Sequence, residues 1–524
     1  MIAFKNICKK KEKVIDSILL FFIIAQGLAI FLINLLQTNN FLFSDNTLAI
    51  RHGIEIWRKG IFLENFNYYS TLEIDNAAFF AIPLYFLTGN LGLSLAIVHV
   101  VLYILTIYLT CSIFKNGSYD TKYGYLAGFF LFTPYVIGGL DWGNMLFVTV
   151  GQYEFRIIVM LSVVNLLLIA LSRKENFKKH ILLWMFNIVT IFWTTLSCGN
   201  YVLLMIILPF CLFFVYINAI ADKLEINKYA LWILISSVIS CLIALVIRSS
   251  TIGETSRGNL FLQTADSFSE NIMSCITGFF MLFGGLTVGD VTLIFSRQGI
   301  VKILKFIFIC GCLILTYLKL KKLNQNDYLH YMFIFVALVN LAVMILSITW
   351  YGADIYEYRY HIIWGAMLLI VTAASFDSIK YVYLKRLICI AAVGLSVLIN
   401  IGGFDSIFDK TDALAMEKET IKVANENDVD VIYFYNMPQE AAAIRVLDYD
   451  KKCMSVSYVI DHVFASTENY FEEYALQYDY EGEHLFVCDP NLLDTIPEEI
   501  MGIYKQIGTL NGLNLYIGSE NPWI

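Results

Sequence analysis

The chain is much more apolar than a soluble domain of its length. Of its 524 residues, 58% are hydrophobic and only 15% are charged, whereas about a quarter of the residues in a soluble domain are charged. The net charge of -8 conceals a division, because residues 404–524 hold 7 Lys and Arg against 23 Asp and Glu, and the remainder holds 29 against 21. This composition indicates a polytopic membrane protein with an acidic tail. It gives no reason to expect nucleic-acid binding, because the acidic tail repels phosphate.

The first span follows a basic N-terminal segment. Five lysines between positions 5 and 13 precede the apolar run 14–36, after which no small-residue cleavage site follows. This pattern predicts a retained signal anchor with its N-terminus in the cytoplasm. Ten further spans are predicted from hydropathy, near 91–114, 123–139, 156–172, 181–197, 201–220, 230–247, 300–318, 331–350, 361–377 and 387–403.

The loops between these spans support one orientation. Those that the eleven-span arrangement places inside are short and rich in Lys and Arg, as the positive-inside rule requires, and an odd number of spans puts the tail outside. Two apolar stretches are not counted as spans. Residues 77–87 are too few and contain Pro83, and counting 272–288 as a crossing would move the lysines after residue 318 to the outer side. We expect interfacial or re-entrant helices there.

The tail after residue 403 reads as a separate α/β domain. Strands are predicted at 430–435, 454–459 and 484–488, with helical stretches at 438–449 and 467–478 between them, which is the rhythm of a parallel sheet. Asn511 and Gly512 predict a type I′ hairpin turn within 505–517. Cys453 and Cys488 both fall on predicted strands, and the sequence leaves open whether they form a disulfide. The predicted domains are thus a membrane domain, 1–403, and an extracytoplasmic domain, 404–524.

The polar segment between the first span and residue 77 is dense in carboxylates. Ser44, Asp45 and Asn46 can cap a helix over 47–59, which Gly60 can end. Asp45 stands where the first span leaves the membrane, and Glu73 and Asp75 stand where the chain returns to it. A partly desolvated carboxylate at such a boundary can serve as a general base for a hydroxyl or amine acceptor. The alternative is that these acids are solvated caps and loop charges.

This layout resembles the GT-C superfamily of membrane glycosyltransferases, and in particular its aminoarabinose and protein O-mannosyl transferases. The resemblance rests on Asp45 after the first span, a Trp-x-x-Gly helix end at 57–60, and Asp75 before the short Pro-containing helix that ends at Leu87. It extends to the soluble domain after the last span. One departure is the step 76–78, which is Asn-Ala-Ala where those relatives often have Lys-Pro-Pro.

The resemblance implies roles for several residues. Asp45 is expected to be the base, with Asp75 or Glu73 as the second acid. The outer Arg-Tyr step of the family is matched by Arg359 and Tyr360, and the guanidinium is expected to bind the phosphate of a polyprenyl-phosphate sugar. An arginine beside tyrosines is equally compatible with an aromatic anchor at the membrane interface.

Further charged residues are candidates for substrate binding. Glu154 and Arg156 open a span with a Tyr-Glu-Phe-Arg run that echoes residues 356–359, and Asp141 lies in the loop before it. Arg257, in the loop after residue 248, is a second candidate for the phosphate. The alternatives are a chance echo and a solvated loop charge. His99 lies inside a span, where a functional role competes with a neutral histidine bonded to a neighbouring helix.

The resemblance implies a plasma-membrane glycosyltransferase that moves a sugar from a polyprenyl-phosphate donor to a glycan, lipid or protein acceptor, with inversion at the anomeric carbon. The alternatives are a lipid-linked glycan flippase and a glycan polymerase or ligase. The sequence contains no P-loop, zinc-protease or dinucleotide fingerprint. We therefore expect no required cofactor, and the sequence leaves open whether a divalent cation takes part.

Overall fold

The computed structural model describes residues 2–42, 44–62, 72–136, 142–172, 177–220, 227–252, 261–262, 268–286, 292–348, 358–409, 411–448, 451–459, 462–466, 482–520 and 522. Up to residue 403 the described chain is almost entirely helical. In chain order its helices are α1 (Ile2–Gln37), α2 (Ser44–Lys59), α3 (Ala77–Thr88), α4 (Leu91–Asn116), α5 (Thr121–Leu131), α6 (Trp142–Leu146), α7 (Glu154–Ser172), α8 (Ile181–Cys198), α9 (Leu208–Ile220), α10 (Lys228–Ile252), α11 (Phe268–Leu282), α12 (Arg297–Leu320), α13 (Tyr328–Leu346), α14 (Ile362–Ser375) and α15 (Val382–Gly403).

Membrane spans dominate this part of the protein. Within the described residues, ten helices are long and apolar enough to cross a membrane. They coincide with ten of the eleven predicted spans, and they confirm the polytopic fold class. One of the ten joins α9 to the π-helical turn Val202–Ile207 that precedes it. Short strands β1 (Phe261–Leu262) and β2 (Ser347–Ile348) pair in antiparallel fashion beside the bundle.

The span predicted at 123–139 takes a different form. Helix α5 has only 11 residues and ends at Leu131, because Pro134 lacks an N–H and its ring would clash with the preceding turn. The irregular backbone that follows is buried, and side chains satisfy its freed carbonyls: Trp142 donates to the Leu131 carbonyl at 2.9 Å and Tyr135 to the Phe130 carbonyl at 3.0 Å. Irregular backbone is tolerated at membrane depth when protein covers it in this way.

The two apolar stretches that were not counted as spans form short helices. Helix α3 has 12 residues, with Asn76 as its N-cap and Gly89 in the left-handed conformation after its last residue. Helix α11 has 15 residues, which is too short to cross about 30 Å of hydrocarbon. Both were predicted as helices that do not cross the bilayer.

The chain after residue 403 contains a six-stranded mixed sheet. Its elements are α16 (Ala415–Glu426), β3 (Val431–Tyr435), α17 (Pro438–Leu447), β4 (Lys452–Val459), β5 (His462–Ser466), β6 (His484–Cys488), α18 (Glu498–Met501), β7 (Tyr504–Leu510) and β8 (Leu513–Gly518). The strand order is β5-β4-β3-β6-β8-β7, with β3 parallel to both of its neighbours. The three predicted strands and the hairpin are confirmed, and β5 is an addition. Helix 467–478 lies outside the described residues.

The two cysteines in the sheet do not form a disulfide. Both are free, and they lie in different apolar clusters: Cys453 packs with Ile432 and Leu485, and Cys488 with Tyr433 and Phe486. Because alternate residues of a strand face opposite sides of the sheet, Ile432 and Tyr433 mark opposite faces. The thiols therefore project from opposite faces, and burial raises the pKa of each.

Helix α2 joins the bundle to the sheet domain. Its apolar residues Ile50 and Ile54 are buried, and the helix packs between α3 and α17. The buried Arg445 of α17 approaches Glu55 of α2 to 3.5 Å, and Tyr85 of α3 donates to the Val446 carbonyl at 3.1 Å. The sheet domain therefore rests on the end of the bundle where α1 ends and α3 begins.

Candidate active site

The segment before α3 is fixed by the end of helix α8. The Leu72 N–H donates to the Ser197 carbonyl at 3.1 Å, and the Ile74 N–H donates to the Ser197 hydroxyl at 3.2 Å. Trp193 donates its indole N–H to the Ile74 carbonyl at 2.7 Å. These bonds hold residues 72–76 across the end of the bundle, on the side that carries the sheet domain. Two of the predicted acids, Glu73 and Asp75, lie in this segment.

Asp75 is the most enclosed carboxylate of the site, with 0% of its surface exposed. Its Oδ2 accepts a hydrogen bond from Arg156 Nε at 3.0 Å, and its Oδ1 accepts one from the Ser197 hydroxyl at 2.5 Å. A buried charge is tolerated only when it is paired and hydrogen-bonded. Both oxygens of Asp75 meet that condition, so this carboxylate is held in one place.

Arg156 completes this pair from the first turn of α7. It is 4% exposed, and its guanidinium lies 4.2 Å from the ring centroid of Tyr153 and 5.0 Å from that of Tyr201. A guanidinium over aromatic faces is stabilised by cation–π attraction, which strengthens when water is excluded. The sequence prediction placed Arg156 among the substrate-binding residues. The structure places it against Asp75.

Glu73 is less enclosed than Asp75 and lies in a strained conformation. Its φ is 51°, in the left-handed region that residues other than glycine seldom adopt. Its carboxylate accepts hydrogen bonds from Gln152 at 3.0 and 3.2 Å and from the Asn76 amide at 3.1 Å. Backbone strain of this kind persists where the surroundings enforce it, and it is concentrated at functional sites. Glu73 is half-buried, so its carboxylate remains the more accessible of the two.

Arg248 supports the site from the end of α10. Its guanidinium donates to the carbonyls of Leu196 at 2.9 Å and Ser197 at 2.5 Å. It thereby holds the end of α8 that in turn holds Asp75. Sequence reasoning assigned no role to Ser197, Gln152 or Arg248. Ser197 and Gln152 carry no charge, and Arg248 closes an apolar run, so no sequence pattern distinguishes them.

The predicted Arg-Tyr step lies at the edge of the same cluster. The Tyr360 ring is 6.4 Å from that of Tyr201, and the Tyr201 ring is 5.7 Å from that of Tyr153. The Arg359 guanidinium lies 5.8 Å from the centre of the Tyr360 ring. A row of tyrosines thus connects Arg359 to the Asp75–Arg156 pair. The structure brings these two sequence-distant candidates to one end of the bundle.

Glu154 points away from this cluster into the bundle. It is 2% exposed, and its Oε2 lies 3.0 Å from Nδ1 of the buried His99. Three other predicted residues are not placed. Asp45 belongs to the first turn of α2, but its side chain lies outside the described residues, as do Asp141 and Arg257. Among the side chains that the structure describes, no three His, Cys, Asp or Glu converge as metal ligands.

Known structures match nearly the whole chain. ArnT from Cupriavidus metallidurans, an aminoarabinose transferase, aligns over 95% of this chain and 97% of its own, with a TM-score of 0.58 and 9% identity. These values are the same for the structure of ArnT bound to undecaprenyl phosphate and for its structure in the apo state. The chain has the GT-C fold. The Archaeoglobus fulgidus oligosaccharyltransferase tethered to an acceptor peptide aligns over 96% of this chain and 74% of its own, at 12% identity and a TM-score of 0.48. No protein-family model and no curated protein matches the sequence.

At 9% identity the likeness to ArnT establishes the GT-C fold and assigns no side chain. The fold prediction made from the sequence is confirmed, including the sheet domain after the last span. Within this GT-C bundle the buried carboxylate, its arginine and the half-buried Glu73 lie at the end that carries that domain.

Proposed function

We propose that this protein is a membrane glycosyltransferase that moves a sugar from a polyprenyl-phosphate donor to an acceptor. One observation carries the proposal: the charged cluster around Asp75 lies at the domain-bearing end of a GT-C bundle. The solved structure of the same fold with a TM-score of 0.58 is bound to undecaprenyl phosphate. The acceptor class is a glycan, a lipid or a protein.

In the proposed reaction Asp45 is the general base. An acceptor hydroxyl or amine gives its proton to the Asp45 carboxylate as its lone pair attacks the anomeric carbon. The bond between that carbon and the phosphate oxygen breaks, and polyprenyl phosphate leaves with the electron pair. A single displacement of this kind inverts the anomeric centre. The position of Asp45 in the first turn of α2, at the chain's exit from α1, supports this role.

Glu73 and Asp75 divide the second acidic role between them. Asp75 accepts hydrogen bonds on both oxygens, from Arg156 and Ser197, so we assign to it the role of organising the site. Glu73 is half-buried, and its carboxylate accepts hydrogen bonds from the side-chain amides of Gln152 and Asn76. We assign to Glu73 the contact with the sugar or with the acceptor.

Arginine side chains stabilise the leaving phosphate in this scheme. Arg359 and Arg257 are the proposed contacts, because a guanidinium can bind two phosphate oxygens at once. Arg156 pairs with Asp75, with 3.0 Å between Arg156 Nε and Asp75 Oδ2. We propose that Arg156 acts by holding that carboxylate in place.

We further propose that the site faces the outer side of the plasma membrane, with the N-terminus in the cytoplasm and the sheet domain outside. The lysines before α1 and in the short loops support this orientation. Cysteines introduced singly at Glu270 and Lys418 should both react with an impermeant maleimide in intact cells. A cysteine at Lys322 should react only after the membrane is opened. Labelling of positions 270 and 418 from opposite sides would contradict the arrangement.

The substitution Asp45→Asn tests the base. It keeps the size of the side chain and removes its basicity, and loss of a general base lowers turnover by roughly 100-fold or more. We expect the variant to insert and fold normally but to transfer sugar at that reduced rate in washed membranes. Asp377→Asn is the matched control, because Asp377 follows α14 at its other end and pairs there with Lys385. Transfer by Asp45→Asn at the wild-type rate would eliminate Asp45 as the base.

A further inference from the structure

The loop before α7 holds the beginning of α3 in place. We call residues 147–153 the Val150 loop. The Val150 carbonyl accepts hydrogen bonds from the N–H groups of Ala77 at 2.8 Å and Ala78 at 3.3 Å. These are the first N–H groups of α3, which have no partner within the helix itself. Because Asp75 lies two residues before this helix, Val150 and the end of α8 together fix where Asp75 lies.

The Val150 loop is itself strained. Thr149 has a φ of 54° and Gly151 a φ of 58°. Glycine adopts such values freely, but a β-branched threonine does so at a cost of about 1–3 kcal/mol. Surrounding contacts must therefore enforce the conformation of Thr149.

Two buried side chains on neighbouring helices form hydrogen bonds with the backbone of Thr149. Asn34 of α1 accepts from the Thr149 N–H at 2.8 Å and donates to the Phe147 carbonyl at 2.8 Å. His99 of α4 donates from Nε2 to the Thr149 carbonyl at 3.1 Å. The His99 ring also fills the space beside Gly151, where an added Cβ would lie 2.6 Å from His99 Cε1. The imidazole thus contacts the turn on both sides of Val150.

Glu154 orients that imidazole. Its Oε2 lies 3.0 Å from His99 Nδ1. Because a carbonyl oxygen only accepts, the bond to Thr149 requires a proton on Nε2. One further proton then lies between Nδ1 and the Glu154 carboxyl group, and the pair as a whole is neutral wherever that proton resides. Neutrality suits a pair that is fully buried in a membrane bundle.

We propose that His99 and Glu154 are positioning residues that hold the strained Val150 loop, and through its carbonyl set Asp75 and Glu73 in the active site. We call the contacts of His99 and Glu154 with this loop the clamp. The effect of the clamp on catalysis rests on the proposed function, but the clamp itself is a property of the fold. It assigns to Glu154 the orientation of His99 in place of the predicted binding of substrate. It also gives the buried His99 a task that its sequence context did not reveal.

The glutamine variant of Glu154 distinguishes a role in positioning His99 from a role that requires an ionisable carboxyl group. In Glu154→Gln the side-chain amide can donate to His99 Nδ1, so the hydrogen bond and the neutrality of the pair are both kept. Glu154→Leu removes the bond and frees the ring to rotate away from Thr149. A clamp therefore predicts rescue by glutamine, whereas a proton-transfer role predicts equal failure of both variants.

The experiment measures amide hydrogen exchange of Ala77 and Ala78 in the purified full-length protein, together with kcat and KM for sugar transfer. We expect Glu154→Leu to accelerate exchange at both amides by at least about tenfold, because the loss of a buried hydrogen bond lowers local stability. Exchange in β6 should stay unchanged. The same variant should lower kcat at least about tenfold and leave KM for the lipid donor within about twofold, as expected for lost positioning without lost binding. Glu154→Gln should stay within about threefold of wild type in every measurement.

Two results would overturn the proposal: wild-type exchange at Ala77 and Ala78 in Glu154→Leu, or a glutamine variant as impaired as the leucine variant. If Glu154→Leu does not yield folded protein, His99→Leu applies the same test by removing the hydrogen bond to the Thr149 carbonyl, and wild-type exchange in that variant would be equally decisive. Faster exchange in a protein whose wild-type form transfers no sugar would support the clamp while refuting the proposed function.

Discussion

Among the residues that the structure describes, two buried arginine–carboxylate pairs differ in their surroundings. Asp75 and Arg156 meet at 3.0 Å within the bundle, where Ser197 occupies the second carboxylate oxygen. Glu55 and Arg445 meet at 3.5 Å between α2 and α17, and Lys59 approaches the same carboxylate at 3.5 Å. The first pair lies inside one packed unit, whereas the second connects the bundle to the sheet domain.

The difference indicates which pair fixes the site and which fixes the domain. A short, fully bonded pair has one geometry, and loss of one partner leaves a buried charge. A longer pair with a second cation nearby has a substitute when one partner is lost. We infer that Asp75–Arg156 sets the geometry of the candidate site and that Glu55–Arg445 sets the docking of the sheet domain.

The largest expected effect comes from Arg156→Met. The variant keeps much of the side-chain volume but leaves Asp75 buried without its cation, which costs about 3–5 kcal/mol. We expect a large fall in the thermal unfolding midpoint and in the yield of folded protein. The double variant Asp75→Asn/Arg156→Met should recover most of the loss.

Lys385→Met is the control for this effect. Lys385 pairs with Asp377 at 3.0 Å near the protein surface, and removal of an exposed pair costs at most about 1 kcal/mol. If Arg156→Met were no more destabilising than Lys385→Met, the assignment of the bundle pair as a structural centre would be wrong.

A smaller effect is expected from Arg445→Met. Lys59 still faces the Glu55 carboxylate, so we expect a loss of about 1–3 kcal/mol, seen as faster proteolytic release of the sheet domain. A double-mutant cycle with Glu55→Gln should give a favourable coupling energy. Additive effects of the two substitutions would show that the pair does not contribute to docking.

The last effect, the smallest when taken over a single pH unit, is a dependence of stability on pH that arises on the same helix, α2. Burial lowers the pKa of His52 on α2 from 6.5 to about 3. The unfolded chain therefore binds a proton between these values that the folded chain does not. His52 should contribute stability that is present above pH 6.5 and is lost as the pH falls toward 3, by at most about 1.4 kcal/mol per pH unit. As the pH falls below 6.5, the unfolding midpoint of wild type should fall more steeply than that of His52→Leu, and parallel curves would contradict this.

Features set by local chemistry were predictable from the sequence. Ten spans follow from apolar length, and the end of α2 at Lys59 follows from Gly60. The start of α2 was predicted three residues too late, because the helix begins at Ser44 and includes the three residues expected to cap it. The hairpin turn follows from Asn511 and Gly512, which adopt φ values of 49° and 86°. Pro134 also indicates that α5 ends early, but the span was predicted from hydropathy alone and therefore extended past this proline.

Features set by distant contacts were not predictable. Arg156 was recognised as important, but its partner lies 81 positions away, and periodicity cannot reveal such a pairing. Ser197 is a small polar residue at the end of an apolar helix, so its bond to Asp75 leaves no pattern. Glu154 was expected to face substrate, yet the structure turns it toward His99. The direction of a side chain depends on packing that one sequence does not display.

The release of polyprenyl phosphate tests the central claim most directly. Purified, folded protein would be incubated with an acceptor mixture and a panel of polyprenyl-phosphate sugars, and the freed lipid phosphate measured over time. We predict release that depends on acceptor for at least one donor, and its loss in Asp45→Asn. A well-folded wild-type protein that releases no polyprenyl phosphate from any donor in the panel would contradict the account.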